Sequence, residues 1–414
     1  MEIAMQEFDL IVVGAGPAGM MSAITAARSG CLVLLLEQQG RPGAKLRASG
    51  GGRCNIANTL SNEKFIAHFG RAGKFMIPAL RAFDRDALVE FFAGIGVECH
   101  APDGNRIFPV THQSDTVVIA LETEIKRLNI QLLCGQKVNG IDTKDGAATG
   151  VSSNTQSFAS DKVILASGGP GYPSLGADAS GYNLASALGH QINELFPAML
   201  PLKTRETWVK NCRADTVGKV EMLINLPEAK KIQAKGDLIF TENGIRGPVV
   251  LDFAREITPL LKKYGEVPLL VNLTQGMNEE QIRERLKKAF ASHKTGSIAD
   301  LLITFINRPL ASELCKLANI APETAFAKLP GQQRDNLIKL LSATPLTVIG
   351  HDGFAAAMVT RGGVSLKQLK PDTLESRLIK GLYFCGEIVD LDGPCGGFNL
   401  QWAFSSGHLA GRLK

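Results

Sequence analysis

Three features of the chain predict an α/β fold: a strand, glycine turn, helix and strand at the N-terminus, a strand, glycines and helix at the C-terminus, and a middle of different character. The C-terminal run supplies one more buried strand to the first domain, which therefore comprises residues 1–193 and 345–414. The middle divides into a β-rich insert, residues 194–277, completed by part of 343–370, and a helical insert, residues 278–342.

Phe8 to Val13 is a short apolar run, followed by Gly14-Ala15-Gly16-Pro17-Ala18-Gly19 and a small-residue helical stretch ending near Gly30. Cys31 to Leu36 is a second run of strand length with Glu37 at its end, which completes a Rossmann-like βαβ unit. Asp84 to Ile95 and Ser114 to Leu128 have amphipathic helical spacing. Ile130 to Leu133, Lys137 to Thr143 and the stretch around Val151 read as short strands, and Lys162 to Ala166 as a buried one before Gly168-Gly169. From about Leu195 strands are short and broken by Pro and Gly, including Asp237 to Thr241 and Val267 to Leu273. Helical spacing returns at Asn278, with Ile282, Leu286, Ala289 and Phe290 on one face, and lasts to about Ser342. Leu382 to Cys385 is the last buried strand, and the final helix runs from near Asn399 to Leu413.

The 414 residues are too many for one ordinary core, and 45% apolar with 21% charged residues describes a folded protein. No stretch approaches the run of about 20 apolar residues that spans a bilayer, and the acidic N-terminus begins a strand, so a cytoplasmic location is expected. Eight cysteines without C-x-x-C or metal-ligand spacing predict free thiols and no metal. The formal charge of +5 is unevenly placed: residues 201–295 hold 17 Lys/Arg against 12 Asp/Glu, and the rest balances. A basic middle suits RNA phosphates or anionic substrates, yet in a domain without a recognised nucleic-acid motif it is more often an ordinary solvated face. The oligomeric state is not legible.

The chemistry rests on three glycine clusters. Gly14, Gly16 and Gly19 form G-x-G-x-x-G, with Glu37 eighteen residues beyond. Gly14 permits a tight turn, Gly16 lets the backbone approach a pyrophosphate, and Gly19 lets helix and strand pack closely. Pro17 and Ala18 begin the helix whose N-terminus faces the phosphates, and Glu37, with Gln38 beside it, is placed for the ribose hydroxyls. The second cluster runs from Gly40 through Gly43 and Lys45 to Ser49-Gly50-Gly51-Gly52-Arg53-Cys54-Asn55, where an extended flavin dinucleotide passes. The third is Gly386-Glu387, then Gly397-Phe398-Asn399-Leu400-Gln401 at the start of the last helix. It places an acid near the ribityl chain and backbone N–H groups near the flavin ring. Val138, Ser167, Gly168 and Gly169, at the returning strands, complete the candidate FAD-binding set.

These motifs resemble the BaiN/RdsA-type NAD(P)/FAD-dependent oxidoreductase family. The resemblance lies in VVGAGPAGM at 12–20, SGGGRCNIAN at 49–58, SGGPGYPSLGADASGYNLASALGH at 167–190, FTENGIRGPVVL at 240–251, AMVTRGGVSL at 357–366 and GLYFCGEIVDLDGPCGGFNLQWAFSSG at 381–407. It implies a Rossmann-like FAD domain, a β-barrel-like insert, a small helical insert, and hydride supply from NADH or NADPH. It also implies reduction of an activated C=C bond, in a small enone or in uracil of large-subunit ribosomal RNA.

No histidine lies in the 40–58 loop, so the FAD is expected to be non-covalent, and the lack of a second G-x-G-x-x-G after a strand makes any NAD(P)H a transient visitor. Candidate catalytic residues are Cys54, whose thiol Arg53 would make more acidic and which equally suits buried packing near the flavin, His351 beside Asp352, which also suits a hydrogen-bonded structural role, and Arg361, which equally suits a surface charge. Arg246 is a candidate substrate contact, while Trp402 is expected to pack the last helix. Two rival expectations stand beside the reductase: an oxidase that turns a small amine and oxygen into product and hydrogen peroxide, and a non-catalytic flavin-bearing RNA-binding or assembly protein.

Overall fold

The computed structural model describes residues 7–229, 232–292 and 297–413. It divides into two compact units, one of Met1–Phe196 with Met358–Lys414 and one of Pro197–Ala357.

The first unit is organised by a five-stranded parallel sheet. Its order is Leu382–Phe384, Val163–Leu165, β1 (Leu10–Val13), β2 (Val33–Glu37) and Gln131–Cys134. The three strands at Leu382, Val163 and Leu10 are wholly buried, which is why each reads as an unbroken apolar run without alternation. Strands from before and after the second unit lie side by side, so the two chain ends form one core. Helix α1 (Pro17–Arg28) packs against the C-terminal helix Phe398–Gly411. Their backbones approach so closely that a Cβ at Gly407 would lie 2.3 Å from the Ala18 carbonyl oxygen. Two small antiparallel sheets flank this core, one of Ala57–Asn58, Arg106–Pro109 and Cys99–His100, the other of Val138–Lys144, Ala147–Ser153 and Ser157–Ala159.

The second unit is a closed six-stranded barrel. Around it run Leu202–Thr204, Gly244–Arg246, Gln233–Phe240, Thr216–Ile224, Val267–Asn272 and Thr344–His351, all antiparallel. Val267, Leu269 and Val271 alternate inward along their strand, as a half-buried barrel wall requires. The helices Glu279–Ser292, Ile298–Leu302, Arg308–Leu317 and Gly331–Ser342 share the same core. Ile282 and Leu286 are buried there, whereas Ala289 and Phe290 are half-buried at its margin.

The structure departs from the sequence reading inside the β-rich insert. The segment expected to be β-rich contains a 17-residue helix, Pro248–Tyr264, which buries Val249, Val250, Phe253, Ala254 and Ile257 against the barrel. Val-Val-Leu after Gly-Pro looks like a broken strand locally, and only burial on one helical face reveals the period. Thr344–His351, within the 343–370 stretch expected to complete the insert, closes the barrel, and the second unit ends at Ala357. Among the described residues no helix is long and apolar enough to cross a membrane.

Candidate dinucleotide site

The first glycine turn leaves β1 and enters α1. Gly14 adopts φ +101°, donates its N–H to the Leu36 carbonyl at 2.8 Å, and a Cβ there would lie 2.7 Å from the Ala166 oxygen. Gly19 is tighter, since its Cβ would meet the Gly14 carbonyl oxygen at 1.8 Å. Gly16 is different: no atom lies within 4 Å of its Cβ position. Two glycines thus let the protein close on itself, and the one between them leaves space beside a helix N-terminus with no side-chain cap. Pro17 and Ala18 open that helix, Pro17 with no N–H to leave unpaired. Glu37 holds the turn from the side, accepting the N–H groups of Ala15 and Gln39 at 2.8 Å each.

The chain beyond β2 is tied back to this turn. Gln38 donates to the Gly176 carbonyl at 2.6 Å, and Gln136 donates its N–H to the Glu37 carbonyl two residues before Val138, which is buried. Gly43, left-handed at φ +70°, donates its N–H to the Ala15 carbonyl at 3.0 Å and starts the short helix carrying Lys45. Ser49 then caps back onto the Leu46 carbonyl. Gly50, Gly51, Gly52 and Cys54 all have positive φ, from +58° to +84°. The N–H groups of Gly52 and Cys54 both donate to the Ser49 carbonyl at 3.0 Å, which folds the loop into a tight left-handed glycine turn.

Cys54 corrects the expectation placed on it. Its side chain is wholly buried, and burial pushes the thiol up to about 12, so it is neutral near physiological pH. Arg53 does not offset this. It is exposed, with its guanidinium carbon 5.4 Å from the centre of the Phe108 ring and Nε donating to the Gly50 carbonyl.

The second and third clusters meet. With its amide oxygen toward the Gly397 N–H at 3.0 Å, Asn55 also donates to the carbonyls of Ala57 and Ile107, the orientation that satisfies every neighbour. Asn58, buried, donates to the Gly396 carbonyl at 3.0 Å. A Cβ on Gly397 would lie 2.3 Å from the Ala57 oxygen, so only glycine fits the turn. Lys45 pairs with Glu387 at 2.8 Å, joining the same two clusters a second time. Glu387 also accepts the Thr360 N–H at 2.8 Å.

Several nominated side chains of the third cluster face the protein. Asn399 pairs with both backbone groups of Gly393 at 2.8 Å, Phe398 stacks on Phe65 at 4.8 Å, and buried Gln401 donates to Ser405. Leu400 is half-buried. Trp402 packs the helix and donates to the Gly386 carbonyl at 3.1 Å. Ser167, Gly168 and Gly169 lie beside Gly14 and Glu387: the Gly14 Cβ position is 3.0 Å from the Ser167 Cα, and that of Gly169 is 3.0 Å from the Glu387 carboxylate.

Sequence reasoning missed a brace behind the second loop. The Ser114 N–H donates to the Gly52 carbonyl at 2.8 Å and its hydroxyl to the Arg47 carbonyl at 2.5 Å, while Arg47 pairs with Asp115 and Glu122. It also missed Thr360. His351 belongs to the barrel unit, where Nδ1 accepts the Gly353 N–H at 2.9 Å and burial lowers its pKa. Asp352 beside it pairs with Lys203. Arg246 is exposed on a barrel strand, and Arg361 is half-buried on the strand Val359–Val364 of the first unit. Among the described residues no group of three or more His, Cys, Asp or Glu could hold a metal.

An extended FAD fits this donor set: open space at Gly16 for its pyrophosphate, a carboxylate, a lysine and hydroxyls beside it, and a left-handed glycine loop beyond. The comparisons agree. A family model for the HI0933-like protein Rossmann domain matches residues 8–413. A 3-dehydro-bile acid delta(4,6)-reductase from Clostridium scindens is 34% identical over 410 residues, 97% of each chain. A ribosomal RNA dihydrouridine synthase from Escherichia coli is 28% identical over 402 residues, 97% of this chain and 96% of that one. A 3-ketosteroid delta1-dehydrogenase from Sterolibacterium denitrificans shares the fold with a TM-score of 0.55 at 13% identity, covering 98% of this chain and 99% of that one.

Proposed function

The chain belongs to the HI0933-like Rossmann family of FAD-dependent oxidoreductases, and we propose that it reduces an activated carbon–carbon double bond in a small molecule, with NADH or NADPH supplying the electrons. One observation carries this reading: the relative at 34% identity, aligned over 97% of both chains, is a delta(4,6)-reductase. Bound FAD supplies hydride chemistry at the flavin ring.

The chain's own part is binding and orientation. Gly16 and the start of α1, in the turn that Gly14 and Gly19 close, would hold the pyrophosphate, and Glu37 the adenosine ribose. Lys45, Ser167, Gly168, Gly169 and Glu387 line the ribityl chain. Ser49 to Asn55, with Gly397, hold the ring. Cys54, neutral and sealed, contributes packing and not a proton. Arg361, on the strand that also carries Thr360, is the candidate to orient the substrate carbonyl.

A second reading, reduction of a uracil in ribosomal RNA, has the relative at 28% identity and the basic middle of the chain in its favour. Four of the 17 Lys/Arg of that middle, Lys203, Arg205, Lys235 and Arg283, pair with Asp352, Glu266, Glu221 and Asp335 within the barrel unit. Cations paired with carboxylates attract a polyanion less strongly, and the small molecule is favoured chiefly by the higher identity to the delta(4,6)-reductase, 34% against 28%.

The test is anaerobic. Purified protein is mixed with NADH or NADPH, the bleaching of the flavin band is followed, and then a cyclic enone or deproteinised ribosomal RNA is added. Rapid return of colour with the enone is expected. Return with the RNA alone selects the second reading, and hydrogen peroxide formed from a small amine in air, with no nicotinamide requirement, would select an oxidase.

A further inference from the structure

Among the described residues of the first unit, two buried hydroxyl oxygens have no hydrogen-bond partner: Ser167 Oγ and Thr360 Oγ1. Thr360 is 1% exposed. An unpaired hydroxyl in such a place is costly, because the water bonds lost on burial are not replaced. Thr360 belongs to a cluster with Glu387, Lys45 and Gly169, and Ser167 stands two residues before Gly169, its Oγ 1.8 Å from the Gly181 Cβ position. The Thr360 N–H donates to Glu387, Glu387 pairs with Lys45, and a Cβ on Gly169 would lie 2.4 Å from Thr360 Oγ1 and 3.0 Å from Glu387 Oε1. Ser167 begins the Ser167-Gly168-Gly169 segment, and its Cα lies 3.0 Å from the Gly14 Cβ position.

The cluster's place along the site identifies what it meets. On one side is the pyrophosphate turn at Gly14 to Gly19, and on the other, through Lys45, the loop that leads to the ring. Between a pyrophosphate and a flavin ring lies a chain of hydroxyls. A carboxylate with free lone pairs, an ammonium group and two unpaired hydroxyls are the groups that recognise a polyol. Resting on the FAD reading above, we propose that Thr360, with Ser167, binds the ribityl hydroxyls. Rotation about the Cα–Cβ bond turns the Thr360 hydroxyl toward them, on the side where the Gly168 Cβ position meets nothing nearer than Glu387 Oε2 at 4.0 Å.

Thr360→Val keeps the shape and removes the hydroxyl. If that hydroxyl waits for the cofactor, its loss has opposite effects on the two forms of the protein. The apoprotein melts about 2 °C higher, because an unpaired buried group has gone. FAD, titrated into apoprotein by quenching of flavin fluorescence, binds about fivefold to tenfold more weakly. Thr360→Ser restores wild-type affinity, and Ser167→Ala repeats the pattern should the valine variant fold poorly. FAD affinity unchanged in both Thr360→Val and Ser167→Ala would overturn the proposal, and so would an apoprotein destabilised by Thr360→Val, since the hydroxyl would then be paired within the protein. Failure of the wild-type protein to take up FAD would remove the cofactor reading itself, a result distinguishable from either.

Discussion

The turn at Gly14 to Gly19 and the turn at Gly393 to Gln401 are both glycine-rich entries to a helix, yet they use their residues in opposite ways. In the first the working surface is backbone, and the space beside Gly16 is open. In the second the side chains that look available face inward: Asn399 holds Gly393, Gln401 holds Ser405, and Gly397 is held from outside by Asn55. Glycine spacing therefore reports where a backbone approaches something. It does not report which neighbouring side chains face a ligand.

The largest test of this contrast lies within the first turn. Gly19→Ala puts a methyl group 1.8 Å from the Gly14 carbonyl, so the turn must open. We expect a loss of about 3 kcal/mol or more in denaturant unfolding. Gly16→Val, three residues away, should leave the fold intact, because nothing lies within 4 Å, yet yield colourless protein. Melting temperature and bound-flavin absorbance, measured on both variants, separate the roles. Retained flavin at full stoichiometry in Gly16→Val would place the pyrophosphate elsewhere.

A smaller effect is expected where the clusters are stitched together. Asn58→Ala removes the hydrogen bond to the Gly396 carbonyl and the one accepted from the Leu60 N–H, and should cost about 1–3 kcal/mol by chemical denaturation, with flavin affinity falling alongside. The smallest effect belongs to Cys54. Its folded pKa is raised, so its neutral form stabilises the fold below the ordinary thiol range, and that contribution is lost only as pH rises toward about 12. Cys54→Ala should leave the pH profile of flavin reduction unchanged around neutrality and cost only packing. An activity limb near neutral pH that vanished in this variant would restore the thiol to the chemistry.

The parallel strands were legible because strands covered on both faces are continuous apolar runs, and the G-x-G-x-x-G turn because each glycine answers a local backbone demand. Pro248–Tyr264 was hidden by its strand-like Val-Val-Leu start. Thr360 and the Ser114 brace were hidden for another reason. Their roles come from partners far along the chain, Glu387 for one and Gly52 with Arg47 for the other, and no periodicity encodes such a meeting. The sequence left Cys54 between an acidic thiol and buried packing, because charge on a neighbour is visible in sequence and burial is not.

The central claim is that two glycine clusters more than three hundred residues apart close around one extended cofactor. Crystals of the flavin-loaded protein test it most directly. The account predicts one FAD per chain, with its pyrophosphate at Gly16, its ribityl chain beside Glu387 and Thr360, and its ring against the loop that Asn55 fastens to Gly397. Flavin density elsewhere, or a ring with no contact to either residues 49–55 or residues 396–401, would contradict it.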